Sequence, residues 1–341
     1  MSPKAKNLLM PDARPSSLCG RRRLRDFRAD IIDLFERKRG GHVQHWLYSD
    51  TARQQMTGSE LWRAFTRSSR AYYIPRDEIS LIAARSPGML AQSAADTVVD
   101  FGVGSVSVVR NKVMPIISGL DKVKIYAGVD ISEDMLSQAA NAVHQDRPDL
   151  SIETYHQNFH HGRIELGGHK RLGLLFGCSV TNQNMKETEG FPHDEIVKNL
   201  KDFQTHLGQD GELLITYDAN TNSQQAMESY DNPYWPQHVT GLMYDIERML
   251  KIGGDFDPAA WEHEKHWDHR AHVIHQCVVA SRAQTLVMED REYHFRRGER
   301  FVTINCFKFP DDLFDSLCDE AGFKTLAKQQ LNTLRLQHLA V

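Results

Sequence analysis

From residue 96 onward the chain alternates short apolar runs with amphipathic stretches, an order that few folds accommodate. A short apolar run bounded by glycine or charge reads as a strand buried on both faces. A stretch with helical periodicity between two such runs reads as the crossover that returns the chain. The runs are DTVVDFG at 96–102, VKIYAGVD at 123–130, SIETYHQNF at 151–159, RLGLLFGCS at 171–179 and GELLITYD at 211–218. Between the last two, Ile196, Val197, Leu200, Phe203 and Leu207 share one helical face, and GQDG at 208–211 ends the helix. The expectation is an α/β fold with a doubly wound, Rossmann-like parallel sheet.

Composition supports a folded chain and argues against several classes. With 341 residues, 40% hydrophobic and 25% charged, the chain is long enough to bury a sizeable core. A formal net charge of −4 argues against a general nucleic-acid partner. The locally basic run Arg21 to Arg28 reads instead as the solvated side of an amphipathic helix whose apolar face carries Leu24, Phe27, Ile31, Leu34 and Phe35. Five cysteines, Cys19, Cys178, Cys277, Cys306 and Cys318, are scattered without CxxC pairing, which fits a reduced, cytoplasmic protein. No apolar stretch approaches the ~20 residues of a membrane span, and the first residues lack the apolar run of a secretory signal, so no membrane partner is expected.

The first run leads into DFGVGS. Gly102 and Gly104, with Val103 between them and Ser105 after, let the backbone approach a ligand at the carboxyl end of a strand. The third glycine of a dinucleotide fingerprint is absent, because that position is Ser107. The second run ends in Asp130, placed to accept hydrogen bonds from both hydroxyls of a ribose. The third ends in Asn158 and Phe159, an amide for an adenine edge and a ring for its face. Singly, the glycines are also turn residues and Asp130 a helix cap before Ser132 and Glu133. Three successive strand ends offering backbone, ribose and base contacts, with no phosphate-cradling loop, point to an adenosine without a polyphosphate: S-adenosylmethionine.

YYIPRDE at 72–78, DFGVGS, GVDIS at 128–132, FGCSVTNQN at 176–184, SYDN at 229–232 and GDFD at 254–257 together resemble the histidine-specific S-adenosylmethionine methyltransferase family. The resemblance runs from about Trp46 to the C-terminus. It implies a methyltransferase core, residues 77–219 and 308–341, interrupted by an inserted α+β substrate-binding domain, residues 1–76 and 220–307. It implies that Tyr48, in HWLYSD, and Tyr72 stand near the substrate amine, and that Gly177 belongs to the cofactor site. Asn182 would hold the amino and carboxylate groups of an amino acid, and Tyr230 its carboxylate. The expected partner is therefore a small-molecule amine; the oligomeric state is left open.

The chain also departs from the family. A segment reading T-E-x-S-x-K-F in the histidine enzyme reads TINCFKF at 303–309, so Ile304 replaces the imidazole-binding glutamate and Cys306 the serine. A buried imidazole left unpaired costs ~1–3 kcal/mol, which turns the expected substrate away from histidine towards an aromatic or apolar side chain. L-histidine, or cofactor binding without turnover, is the alternative reading. Asn158 replaces the family's aspartate, and Val108 falls where the family has a lysine towards the cofactor's methionine portion.

WEHEKHWDHRAHVIH at 261–275 has a histidine at every third position. On a helix that step turns about 300° each time, so the five rings cannot share a face and no metal is expected. The resemblance implies a helix up to about Trp267 and a strand beyond it. On such a strand His269 and His275 would face one side and His272 the other, and Gln276 would line the substrate side-chain pocket.

Overall fold

The computed structural model describes residues 17–37, 43–49, 52–53, 55–160, 162–181 and 191–341. The chain opens with α1 (Ser17–Arg37), a 3-10 turn (Gln44–Tyr48), the two-residue strands β1 (Ala52–Arg53) and β2 (Met56–Thr57), α2 (Gly58–Ser68) and α3 (Ile74–Met89). Then come β3 (Thr97–Phe101), α4 (Val106–Val108), a π-helical turn (Val109–Val113), α5 (Met114–Ser118), β4 (Ile125–Asp130), α6 (Glu133–Asp146), β5 (Ser151–His156), β6 (Arg171–Leu175), α7 (His193–Leu207) and β7 (Glu212–Asp218). The third stretch holds α8 (Ser223–Glu228), α9 (Tyr234–Met249), β8 (Ile252–Gly254), β9 (Trp261–Asp268), β10 (Val273–Ala280), β11 (Gln284–Met288), β12 (Arg291–Phe295) and β13 (Arg300–Phe307). The chain closes with α10 (Asp311–Ala321), β14 (Lys324–Leu331) and β15 (Leu334–Ala340).

All five expected strands form, and they sit in one seven-stranded sheet of order β14-β15-β7-β6-β3-β4-β5. The pairs β5/β4, β4/β3, β3/β6 and β6/β7 are parallel, whereas β15 runs antiparallel to β7 and to β14. Alternate residues of each strand supply two separate cores. Val98, Tyr126, Leu172 and Leu214 join α3, the π-helical turn and α6, while Val99, Ala127, Leu213 and Ile215 join α7 and α10. Helices therefore cover both faces, as a parallel sheet requires. Because the order reverses between β3 and β6, the carboxyl ends of those two strands diverge into a crevice, the usual ligand position in such sheets.

Two strands are shorter than their apolar runs. SIETYHQNF stops pairing at His156, and RLGLLFGCS at Leu175, so Asn158, Phe159 and Gly177 lie in the loops beyond the sheet. The chain leaves the sheet where its backbone turns into the crevice. In α1, Phe27, Ile31 and Leu34 are fully buried, each worth about 1.5–3 kcal/mol of apolar transfer, but Leu24 is 42% exposed, one turn beyond the packed part of the face.

The stretch at 261–275 differs from the expectation more deeply. Residues Trp261–Asp268 form β9, a strand and not a helix, paired antiparallel along its whole length with β10. Trp261 and Trp267, six residues apart, are buried while the residues between are largely open, which is a period of two. His269 and His272 occupy the connecting turn, His272 with φ of 50°, so only His275 of those three is on a strand. His266 and His275 are cross-strand partners. Among the described residues, no three His, Cys, Asp or Glu side chains converge to hold a metal ion, and no helix is long and apolar enough to cross a membrane.

Candidate active site

A cavity of about 380 Å³ opens at the crevice between β3 and β6. Its floor is the loop after β3, where Gly102 and Gly104 have φ of 82° and 65°, a left-handed backbone that any other residue adopts only under strain. A Cβ on Gly102 would meet nothing within 4 Å, so the demand there is conformational and not steric. Ser105 lines the floor and precedes α4, while Val103 points away into the core. One wall is Asp130, whose Oδ1 accepts from the Ser132 amide at 2.9 Å; Ser132 in turn caps α6 by accepting from the Met135 amide. The helix cap is thus Ser132, with Asp130 behind it at the strand end. At the far end stand Asn158 and Phe159. The Asn158 side-chain oxygen already accepts from the His160 amide at 2.9 Å, which fixes the loop and leaves the second lone pair of that oxygen.

Asp100, unremarked in the sequence reading, lies at the bottom of the cavity. Burial pushes its carboxyl up to about 7; the Tyr126 hydroxyl, donating at 2.9 Å, opposes the rise, Asp130 adds to it and Lys112 lowers it. An acid inside the apolar run VVDF was the available signal, since a carboxylate is not buried without a partner or a purpose. Lys112, one helical turn beyond Val108, also reaches the cavity, so a lysine is present although the expected position is valine. Its ammonium pairs with Glu78 on α3, and Glu78 further accepts from the Thr216 hydroxyl and, at 2.6 Å, from the Gly177 amide. One fully buried carboxylate therefore ties α3, the π-helical turn, β7 and the loop after β6 together.

Above the floor is an aromatic wall. Tyr48 and Tyr72 both line the cavity, and Trp62 of α2 lies between them with ring centroids 5.5 and 6.0 Å away. Burial pushes both phenols well above their ordinary value. The Cys306 thiol lies close enough to raise both further, and the Gln44 side chain, bonded to Tyr48, pulls the other way.

Tyr230, Gln276, Ile304 and Cys306 are placed behind this wall and do not line the cavity. Tyr230 packs 5.5 Å from Tyr72, and its hydroxyl bonds the Cys306 thiol. Gln276 is the cross-strand partner of Ile304, beside a β-bulge at Gln276/Cys277, a device that re-aims side chains next to sites. Its Oε1 accepts from Trp235 Nε1 at 3.0 Å and lies 2.7 Å from His263 Nε2. Desolvation keeps His263 below its ordinary value and hence neutral at pH 7. Asn182 lies outside the described residues.

The family described as "Histidine-specific methyltransferase, SAM-dependent" matches residues 27–333.

The chain belongs to this family of S-adenosylmethionine-dependent methyltransferases.

Its relatives include a histidine N-alpha-methyltransferase of Mycolicibacterium smegmatis, 25% identical over 278 residues, covering 78% of this chain and 81% of the relative. A protein of the same name from Mycobacterium tuberculosis is 25% identical over 83% of this chain and 84% of its own length. N-methyltransferase imqF of Aspergillus flavus is 26% identical over 45% of this chain and 40% of its own. The residues lining the cavity fit the cofactor of the family: an otherwise costly buried carboxylate at Asp100, two left-handed glycines in the floor, and Asp130 at the next strand end.

Proposed function

We propose that this chain methylates the amino group of a small amino acid or amino-acid-derived metabolite whose side chain is aromatic or apolar and not an imidazole. The reading rests on Ile304 and Cys306, both buried behind the aromatic wall, at the positions where the resemblance places the glutamate and serine of the histidine type. Gln276, opposite Ile304, has its oxygen engaged by Trp235 and His263, so it has no lone pair left for an imidazole N–H. In this reading residues 1–76 and 220–307 form the substrate-binding part and residues 77–219 and 308–341 the cofactor core.

When bound, S-adenosylmethionine supplies a methyl group on a sulfonium, open to in-line displacement by an amine. Gly102, Val103, Gly104 and Ser105 would hold its methionine portion along their backbone, Asp130 its ribose, and Asn158 and Phe159 its adenine, with Gly177 in the loop after β6 beside it. Tyr48 and Tyr72, both lining the cavity, would position the amine. Their raised pKa values make them poor bases at neutral pH, so their task is positioning and the product's proton leaves to water. By the family resemblance Asn182 and Tyr230 serve the amino-acid head group, Tyr230 from behind Tyr72, whose ring lies 5.5 Å away.

Isothermal titration with S-adenosylmethionine, followed by mass analysis of products formed from each of the twenty amino acids, tests the reading. Methyl transfer to an aromatic or aliphatic amino acid is expected. Transfer to histidine alone would overturn the specificity, and cofactor binding with no methylated amine would favour a protein that has lost turnover.

A further inference from the structure

His206, in the last turn of α7, is 2% exposed, and backbone groups claim both nitrogens of its ring. The Ile164 amide donates to Nδ1 at 3.3 Å, and Nε2 lies 2.8 Å from the Phe159 carbonyl oxygen. An amide N–H can only donate here and a carbonyl can only accept, so the two partners fix the protonation of the ring. Nδ1 carries the lone pair and Nε2 the proton, which is the neutral Nε2–H form. Neither other form fits. The Nδ1–H tautomer would set donor against donor and acceptor against acceptor, and the imidazolium would keep the carbonyl bond but lose the amide.

The surroundings favour the neutral ring. It packs 5.8 Å from the Phe101 ring, which itself packs on Phe159 and Phe203 at 5.7 and 5.0 Å. Desolvation is the largest influence and holds His206 below its ordinary value. Of the charged groups around it, Asp202 on α7 favours a second proton and Arg163 opposes one. Arg171 donates to the His206 carbonyl at 3.0 Å, and the His160 ring lies beyond Phe203, 5.5 Å from it. His206 does not line the cavity, whereas Asn158, Phe159 and His160 do. Neither Phe159 nor Ile164 lies in a helix or strand, so the ring supplies bonds that no sheet pairing replaces.

We infer that His206 is a positioning residue for the adenine end of the cofactor: its neutral Nε2–H ring ties α7 to the backbone at Phe159 and Ile164, and a second proton frees Ile164 and weakens cofactor binding. The inference rests on the reading that Asn158 and Phe159 meet the adenine. A bound cofactor favours the tied backbone and hence the neutral ring. Protons therefore compete with the cofactor below the ordinary histidine value of about 6.5, costing at most about tenfold in affinity per pH unit, and the dependence vanishes above it.

Calorimetry with 5′-methylthioadenosine tests it, because this nucleoside carries the adenine and ribose without the charged amino-acid portion. Its affinity for the unaltered protein is expected to fall about threefold or more between about pH 7.5 and pH 5. H206Q and H206N cannot take up a proton, so each is expected to bind more weakly at the upper pH and with no pH dependence. H160Q is expected to keep the slope. Nitrogen-15 NMR of the unaltered protein should show the His206 ring as the Nε2–H form at the upper pH. A level profile in the unaltered protein, a slope that survives in both His206 variants or disappears in H160Q, or an Nδ1–H ring overturns the inference. Should the His206 variants not fold, hydrogen exchange at the Ile164 amide decides: protection lost in parallel with affinity supports it, and protection unchanged overturns it. N158A leaving nucleoside affinity unaltered would overturn the adenine assignment and the inference with it, whereas a level profile beside a weakened N158A overturns the inference alone.

Discussion

The Lys308 ammonium donates to the Asp218 carboxylate at 2.8 Å, and neither side chain is more than 2% exposed. Asp218 also accepts from the Tyr73 hydroxyl at 2.5 Å, and that hydroxyl accepts in turn from the Asn220 side-chain amide at 2.8 Å. The pair joins the carboxyl end of β7 to the residue following β13, and Lys308 lies 6.0 Å from the centre of the Tyr230 ring. Coulombic attraction to Asp218 holds Lys308 above its ordinary value against the opposing effect of burial, so it is charged across the working pH range.

Removing one member of a buried ion pair strands the other. Lys308→Met is expected to lose about 3–5 kcal/mol of stability, and the double variant Lys308→Met with Asp218→Leu distinctly less. Urea titrations of the three proteins check this; a double variant as weak as the single one would mean that the hydrogen bonds to Asp218 outweigh the charge.

Asp100 makes stability and cofactor affinity depend on pH with opposite signs. Its carboxyl is near 3.8 unfolded and about 7 in the fold, so between those values the native state binds more protons. Stability from this group is full below about pH 4, falls as pH rises to about 7 and then levels off. A cationic cofactor favours the ionised acid, so affinity for S-adenosylmethionine rises from pH 6 to 8, by at most about tenfold per unit below the folded pKa. Asp100→Asn is expected to flatten both profiles, read by thermal unfolding and by calorimetry at several pH values.

If Tyr48 and Tyr72 position and do not deprotonate, Tyr48→Phe and Tyr72→Phe lower kcat without changing the shape of its pH profile. Losses of about 10-fold to 100-fold are expected for a misplaced amine. Disappearance of a basic limb in either variant would identify that phenol as the base.

Reinstating the histidine-type wall should move specificity. The double change Ile304→Glu with Cys306→Ser is expected to raise the histidine-to-tryptophan ratio of kcat/KM at least tenfold, since each unpaired polar group costs ~1–3 kcal/mol. Competition between the two amino acids, with products resolved by mass, measures the ratio directly.

Much of the sheet was legible because its signals are local. Apolar runs of strand length and an amphipathic helix between them are visible in any short window, and so are Gly102, Gly104 and Asp130 at strand ends. Asp100 was equally visible, in VVDF, yet it took the burial of all of β3 to turn an acid in an apolar run into a site residue. The Glu78 and Asp218 networks were not visible, because their members come from positions 73, 78, 112, 177, 216, 218, 220 and 308, and spacing carries no information about such contacts. The helix expected up to Trp267 failed for a related reason: a stretch of alternating tryptophan, histidine and acid has no helical face, and only its pairing with β10 makes it a strand. Tyr230, Gln276, Ile304 and Cys306 were matched by resemblance, but resemblance does not say whether a residue lines a cavity or stands behind its wall.

Glu78 gathers contacts across 138 sequence positions, from α3 to Thr216, and Asp218 waits for Lys308, another 90 positions on. During synthesis from the N-terminus, Glu78 and the glycine floor are made well before Thr216, and Asp218 well before Lys308. A nascent chain released as far as β7 has the five parallel strands of the sheet but lacks the counter-charge for Asp218, so that acid must stay protonated or hydrated until β13 has been made. The order of synthesis therefore leaves the Asp218 network unfinished until residue 308, and chains halted between positions 218 and 308 should unfold far more readily than the full chain although every residue assigned to the cofactor is already present.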